Sequence, residues 1–200
     1  MDDQGTDRRQ ILVRRLVADD WEQARDARLA ALAEAPYAFA STLARERGFD
    51  AEVWRSRAGS GRTVAAFDGA AFDGAAIIGL ATGIPPADLP PSDREPSDRE
   101  PSGGQPGAEQ RQINPPEWQL VGMWVAPGYR GQGVADALVG AVCDLAREAG
   151  ASSLTLWVTD VNDRARAFYR RLGFTATGAR MLVRPEEPDN WEEELTLPLG

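Results

Sequence analysis

The 200 residues, 42% of them hydrophobic and 26% charged, suit one globular domain with an appendage, and no apolar run nears the roughly 18 residues of a membrane span. The acidic start Met1-Asp2-Asp3 is unlike a secretory leader, and the lone Cys143 cannot make an internal disulfide, so a cytoplasmic protein is expected. The chain has neither histidine nor lysine, which excludes His-based triads, imidazole-held zinc, Schiff-base chemistry and the P-loop lysine, and a net charge of −9 argues against a nucleic-acid partner.

Ile11-Leu12-Val13 begins a first strand, and Asp19 and Asp20 suit the start of a helix. Trp21, Ala24, Arg28 and Leu32 keep a helical period as far as Ala35, where Pro36 stops it. Residues 42–57 predict a second helix. Thr63 to Phe67 and Ala76 to Ala81 predict two strands joined by a hairpin. Its loop is lengthened by a short duplication, Phe67-Asp68-Gly69-Ala70-Ala71 repeated as Phe72-Asp73-Gly74-Ala75-Ala76.

From about 85 to 116 the composition changes. Pro-Ser-Asp-Arg-Glu occurs at 91–95 and again at 96–100. Too few large apolar residues are present to offset the entropy of ordering, so a disordered insertion, or else an interaction tail, is expected. Order returns with a strand from Trp118 to Val125. Val134, Leu138, Val142, Leu145 and Ala149 then mark one face of a helix ending at Gly150. Leu154 to Val158 predicts a strand, Asn162 to Leu172 a helix, and Phe174 to Thr177 and Trp191 to Leu197 two more strands. The expected organisation is a tail over 1–10 and a single mixed α/β domain over 11–200.

The strand–helix junction Val125-Ala126-Pro127-Gly128-Tyr129-Arg130-Gly131-Gln132-Gly133-Val134-Ala135 holds the most specific chemistry. Gly131 and Gly133 let backbone N–H groups approach an anion, and the next helix brings its unpaired N–H groups and the positive end of its dipole to the same place. Arg130 offers a charge-assisted bond to a phosphate. A dinucleotide fingerprint fits poorly, because Asp136 stands where Gly or Ala is needed. A plain connecting turn is the alternative.

This loop resembles that of the GNAT superfamily of acyl-CoA N-acyltransferases, Arg/Gln-x-x-Gly-x-Gly/Ala, at Arg130, Gly133 and Ala135. The preceding Val125-x-Pro127 is also typical of it. The family's later Asn-x-x-Ala-x-x-Phe-Tyr-x-x-Leu-Gly-Phe is matched by Asn162, Ala165, Phe168, Tyr169, Leu172, Gly173 and Phe174. The resemblance spans about 118–178, with a weaker echo at Pro36-Tyr37-Ala38-Phe39. It implies a mixed sheet that splays open between the strand ending at Val125 and the strand at 154–158. Acetyl-CoA would lie in the gap, its pantetheine arm paired to the first strand. A glycine inside that strand predicts a bulge near Gly122-Met123.

The cofactor contacts implied are Met123, Trp124, Val125, Arg130, Gly131, Gln132, Gly133, Val134, Ala135, Asp136, Asn162 and Tyr169; no metal is expected. The activity implied is acetyl transfer to a primary amine by direct attack, with a catalytically weak acyl-CoA-sensing module as the alternative. Tyr169 is the candidate general acid, or else a packing aromatic. Asn162 is either a pantetheine contact or a helix N-cap. The base must be a carboxylate, acting through water, or water alone, and Glu117 and Asp160 are the candidates. Asp136 beside a diphosphate would repel it unless it turns outward, where it would favour the helix dipole.

The acidic run Glu186, Glu187, Asp189 and Glu192–Glu194 points to a cationic acceptor or is a solvated loop. The acceptor itself, a small-molecule or a protein amine, and the state, monomer or homodimer, are not encoded in these patterns.

Overall fold

The computed structural model describes residues 11–69, 76–88 and 116–200. The expected tail over 1–10, the Asp73-Gly74 turn and the repeated Pro-Ser-Asp-Arg-Glu segment lie outside the described residues. Among the described residues, seven strands form one sheet: β1 (Ile11–Arg15), β2 (Thr63–Asp68), β3 (Ile77–Ile84), β4 (Glu117–Val125), β5 (Ser153–Thr159), β6 (Thr175–Leu182) and β7 (Trp191–Pro198), ordered β1-β2-β3-β4-β5-β7-β6. All neighbours run antiparallel except β4 and β5, which are parallel. The helices are α1 (Trp21–Glu34), α2 (Leu43–Arg47), α3 (Ala51–Gly59), α4 (Val134–Glu148) and α5 (Asp163–Arg171). None of the helices among the described residues is long and apolar enough to cross a membrane.

Strand alternation divides the interior into two cores. On β2, Val64 and Ala66 face one way and pack with Val134, Leu138 and Val142 of α4; Ala65 and Phe67 face the other way and pack with Ala27 and Leu32 of α1. The helices therefore cover both faces of the sheet. The expected apolar stripe of α4 is the buried one, Leu138 and Val142 being 0% exposed.

The expected helix over 42–57 is two helices. Gly48 ends α2, and Asp50 restarts the chain as the N-cap of α3, its carboxylate accepting the Val53 N–H at 3.0 Å. An interposed cap outweighs the continuity of the apolar pattern, because each helix start leaves N–H groups needing acceptors. The strand expected over 174–177 runs to Leu182.

Two irregularities in β4 create the site. Its register on β3 slips between Leu80–Trp124 and Thr82–Val121, so β4 carries an extra residue there, and Gly122 sits at φ 64°. This is the bulge expected at Gly122-Met123. It reverses the parity of the strand: Trp118 and Leu120 face α4 before it, and Val125 does so after it, leaving Trp124 in the α1 core. Pairing with β5 is confined to Glu117–Gln119 against Ser153–Thr155. Beyond Gln119 the two strands part.

Candidate functional site

The parting of β4 and β5 opens a cleft of about 1350 Å³, continuous from the β4–α4 loop to α1, α2 and α3. At the loop end, Gly131 and Gly133 adopt φ of 76° and 84°, and a Cβ at either would meet nothing within 4 Å. Their glycines serve conformation, not crowding, and the space before them is open. Thr42, Asp50 and Asn162 cap α2, α3 and α5 with their side chains; α1 and α4 have no side-chain cap, and α4 begins at Gly133, facing the cleft. Its first N–H groups, on Val134, Ala135 and Asp136, are left to an outside acceptor.

The guanidinium of Arg130 also has partners within the chain. Its Nε donates to the Val125 carbonyl at 3.0 Å and Nη2 donates to Glu34 at 2.5 Å. Glu34 also accepts from Trp124 Nε1 at 2.9 Å, and these contacts, Arg130 first, hold its carboxyl below the usual range. Arg130 thus fastens the loop to α1 through Nε and Nη2 while lining the cleft. Gln132 is also turned inward, donating to the Gly128 carbonyl at 2.8 Å. Asp136 lines the cleft and is tied to Arg171 of α5 at 2.7 Å, which offsets its charge.

Along β4, the Ala126 N–H bonds to the Ile78 carbonyl on the β3 side. Successive N–H groups of a strand point to opposite edges, so the Val125 N–H faces the gap. Met123, half-buried, lines the cleft beside it, whereas the side chain of Trp124 is held in the α1 core.

Tyr169 is the one buried residue of α5 and lines the cleft. Ala165, Phe168 and Leu172, the sequence's apparent core positions, are only partly buried. The ring packs edge-on against Phe168 at 5.1 Å and Phe174 at 5.6 Å. Burial raises the phenol above its ordinary pKa of 10.0, so it keeps its proton at neutral pH. Asn162 is an N-cap, its Oδ1 accepting the Ala165 N–H at 3.1 Å, and it also borders the cleft.

The two candidate bases are not brought into the cleft. Glu117 is exposed at the closed end of the β4–β5 pairing, opposite Ser153, and Asp160 is ion-paired to Arg180. Neither lines the cleft. The direction in which a sheet opens is fixed by strand pairing, which spacing along one strand cannot report. The acidic run is largely spent within the chain. Glu187 binds Arg184 and Asn190, Glu193 binds Arg166 and Arg170, and Glu194 accepts from Thr177. Of that run Glu192 alone lines the cleft, half-buried and in register with Thr159 of β5.

The opposite wall was not foreseen. Glu46 of α2 is 1% exposed and accepts from Arg28 Nε and Nη2, at 3.1 and 2.8 Å, and from Arg57 Nη1 at 3.1 Å. Burial pushes its carboxyl up, but the Arg28 bonds and both guanidinium charges pull it further down, leaving it below its ordinary value of 4.5. A lowered carboxylate pKa means that this cluster stabilises the fold fully above pH 4.5 and loses that contribution as pH falls through the lower folded value. Glu46→Gln should therefore cost about 3 kcal/mol at pH 7 by urea denaturation, with the gap to wild type closing below pH 4.5. A gap that stays constant down to pH 3 would contradict this.

A split mixed sheet with helices on both faces and an uncapped helix start at the mouth of the split defines the class of α/β protein. The chain belongs to the Acetyltransferase (GNAT) family, whose model matches residues 21–174. Over 54 residues it is 50% identical to the streptothricin acetyltransferase of Streptomyces lavendulae, a stretch that covers 27% of this chain and 29% of that protein. A second relative, the thialysine N-epsilon-acetyltransferase of Bos taurus, is 41% identical over 54 residues, 27% of this chain and 32% of that one. The chain thus matches under a third of the length of either. Among solved structures, a GNAT-family acetyltransferase from Streptococcus pneumoniae superposes with a TM-score of 0.66 at 14% identity, covering 96% of this chain and all of that one. Arabidopsis thaliana NAA60 in complex with acetyl-CoA gives 0.59 at 18% identity, covering 94% and 98%. At these identities the likeness is one of fold.

Proposed function

We propose that this protein transfers an acetyl group from acetyl-CoA to a primary amine by direct attack, as a cytoplasmic enzyme acting on a small-molecule or peptide acceptor. The observation that carries the reading is the uncapped start of α4 behind two glycines at positive φ, at the mouth of a split in the sheet. The loop 130–135 takes the diphosphate on main-chain N–H groups, and the free edge of β4 beyond Gln119 takes the pantetheine arm as an added strand. Acetyl-CoA supplies a thioester whose carbonyl carbon is open to attack by a neutral amine.

The chain's own groups have four tasks. The gap-facing N–H of Val125 steadies the carbonyl oxygen as charge builds on it. Tyr169, protonated and lining the cleft, gives its proton to the leaving thiolate, whose ordinary pKa is about 8.5. Glu192, which lines the cleft beside β5, takes the amine's proton through water. Arg130 and Glu34 keep the loop in its binding shape.

The test is release of free thiol from acetyl-CoA across a panel of amines with a no-amine control. Amine-dependent release is expected. Tight CoA binding with no release above the control for any amine would instead identify an acyl-CoA-sensing module.

A further inference from the structure

The acceptor side of the cleft is built for a negative charge, although the protein as a whole is strongly acidic. Its α1–α3 wall presents Arg28, Arg45 and Arg57 against the carboxylate of Glu46, while the neighbouring Arg62 is paired to Asp88. Glu34 of the same wall is paired to Arg130, and the one carboxylate of Glu46, shared by Arg28 and Arg57, leaves the wall net positive.

Arg28 is the group held in a set direction. Glu46 takes its Nε and Nη2, and the guanidinium lies over the Phe39 ring at 4.7 Å. Its side chain is 19% exposed. The remaining nitrogen, Nη1, has no protein partner among the described residues and lies 3.7 Å from where a Cβ on Gly122 would stand. That is the bulge in the stretch of β4 that has parted from β5, on the strand whose Val125 N–H would meet the acetyl group. A planar guanidinium fixed on two sides and open on the third is a donor fork for a carboxylate.

We infer that Arg28 recognises a carboxylate carried by the acceptor, so that the substrate class is an amino acid or another amine bearing an acidic group. The inference rests on the amine-transfer reading above. It replaces the cationic acceptor that the acidic run suggested, since that run is mostly paired within the chain.

The experiment compares each common L-amino acid with its α-carboxamide. Two readouts are taken: binding to the CoA complex by calorimetry, and thiol release with acetyl-CoA. The carboxamide's amine loses its proton more readily, so a preference for the acid cannot come from amine basicity. Wild type is expected to favour at least one acid over its amide by at least about tenfold in kcat/KM and in affinity. Arg28→Lys, which retains a cation for Glu46, should bring that ratio close to one while leaving the KM for acetyl-CoA unchanged, and assays run well below its melting temperature keep any loss of stability out of the ratio. The double variant Arg28→Gln/Glu46→Gln should do the same without leaving a buried charge. Amides turned over as well as acids by wild type would overturn the inference and leave the transfer reading intact. Acid-selective, Arg28-dependent binding without turnover would support it and sink the transfer reading.

Discussion

Gly133→Val should weaken CoA binding by at least about 100-fold, measured by calorimetry, while the folded state persists. Position 133 holds φ 84° at the start of α4. A β-branched residue there costs on the order of 1–3 kcal/mol of backbone strain and either bends the loop or fills the open space before it. Two or more charge-assisted N–H bonds to the diphosphate would be lost, which accounts for the size of the effect. Gly140→Ala on the same helix, at a glycine without positive φ and with nothing within 4 Å of its added Cβ, is the control and should bind normally. Undiminished affinity in Gly133→Val would remove the loop from the binding account.

Tyr169→Phe should lower kcat by about 10²–10⁴-fold, the range for loss of a positioned general acid. CoA affinity should stay within about twofold, because the ring contacts to Phe168 and Phe174 remain. The hydroxyl has no protein hydrogen bond among the described residues, so its removal should not lower the melting temperature. Rapid-quench turnover beside calorimetric binding separates the two effects. Equal kcat in variant and wild type would make Tyr169 a packing residue.

Local features were legible in the sequence. The bulge was announced by a glycine inside an apolar strand, the Asn162 cap by its place before a helical period, and the α4 stripe by its spacing. Each depends on residues within a turn or two of one another. The features that escaped join distant segments. Arg130 reads as a phosphate ligand, and nothing near it in the chain announces its tie to Glu34, 96 residues away. Arg28 reads as one more member of a helical period, and its partner Glu46 lies beyond the turn at Pro36. Glu117 looked central because it opens the central strand, but the sheet splits at that strand's other end. The break at Gly48–Asp50 could have been read, since a glycine followed two residues later by an aspartate is a helix stop and a helix start in succession.

The same contrast bears on charge. The acidic run at 186–194 pointed to a cationic acceptor or a solvated loop, but a run of charges in sequence does not show which of them are paired within the fold. What faces a ligand is set by the unpaired remainder, and on the α1–α3 wall that remainder is arginine.

A crystal structure with bound coenzyme A tests the central claim most directly. Diphosphate oxygens within about 2.7–3.2 Å of main-chain nitrogens between Gly131 and Asp136, with the thiol arm running along β4 toward Gly122, is the predicted result. A diphosphate held elsewhere, or a cleft that coenzyme A does not enter, would contradict it.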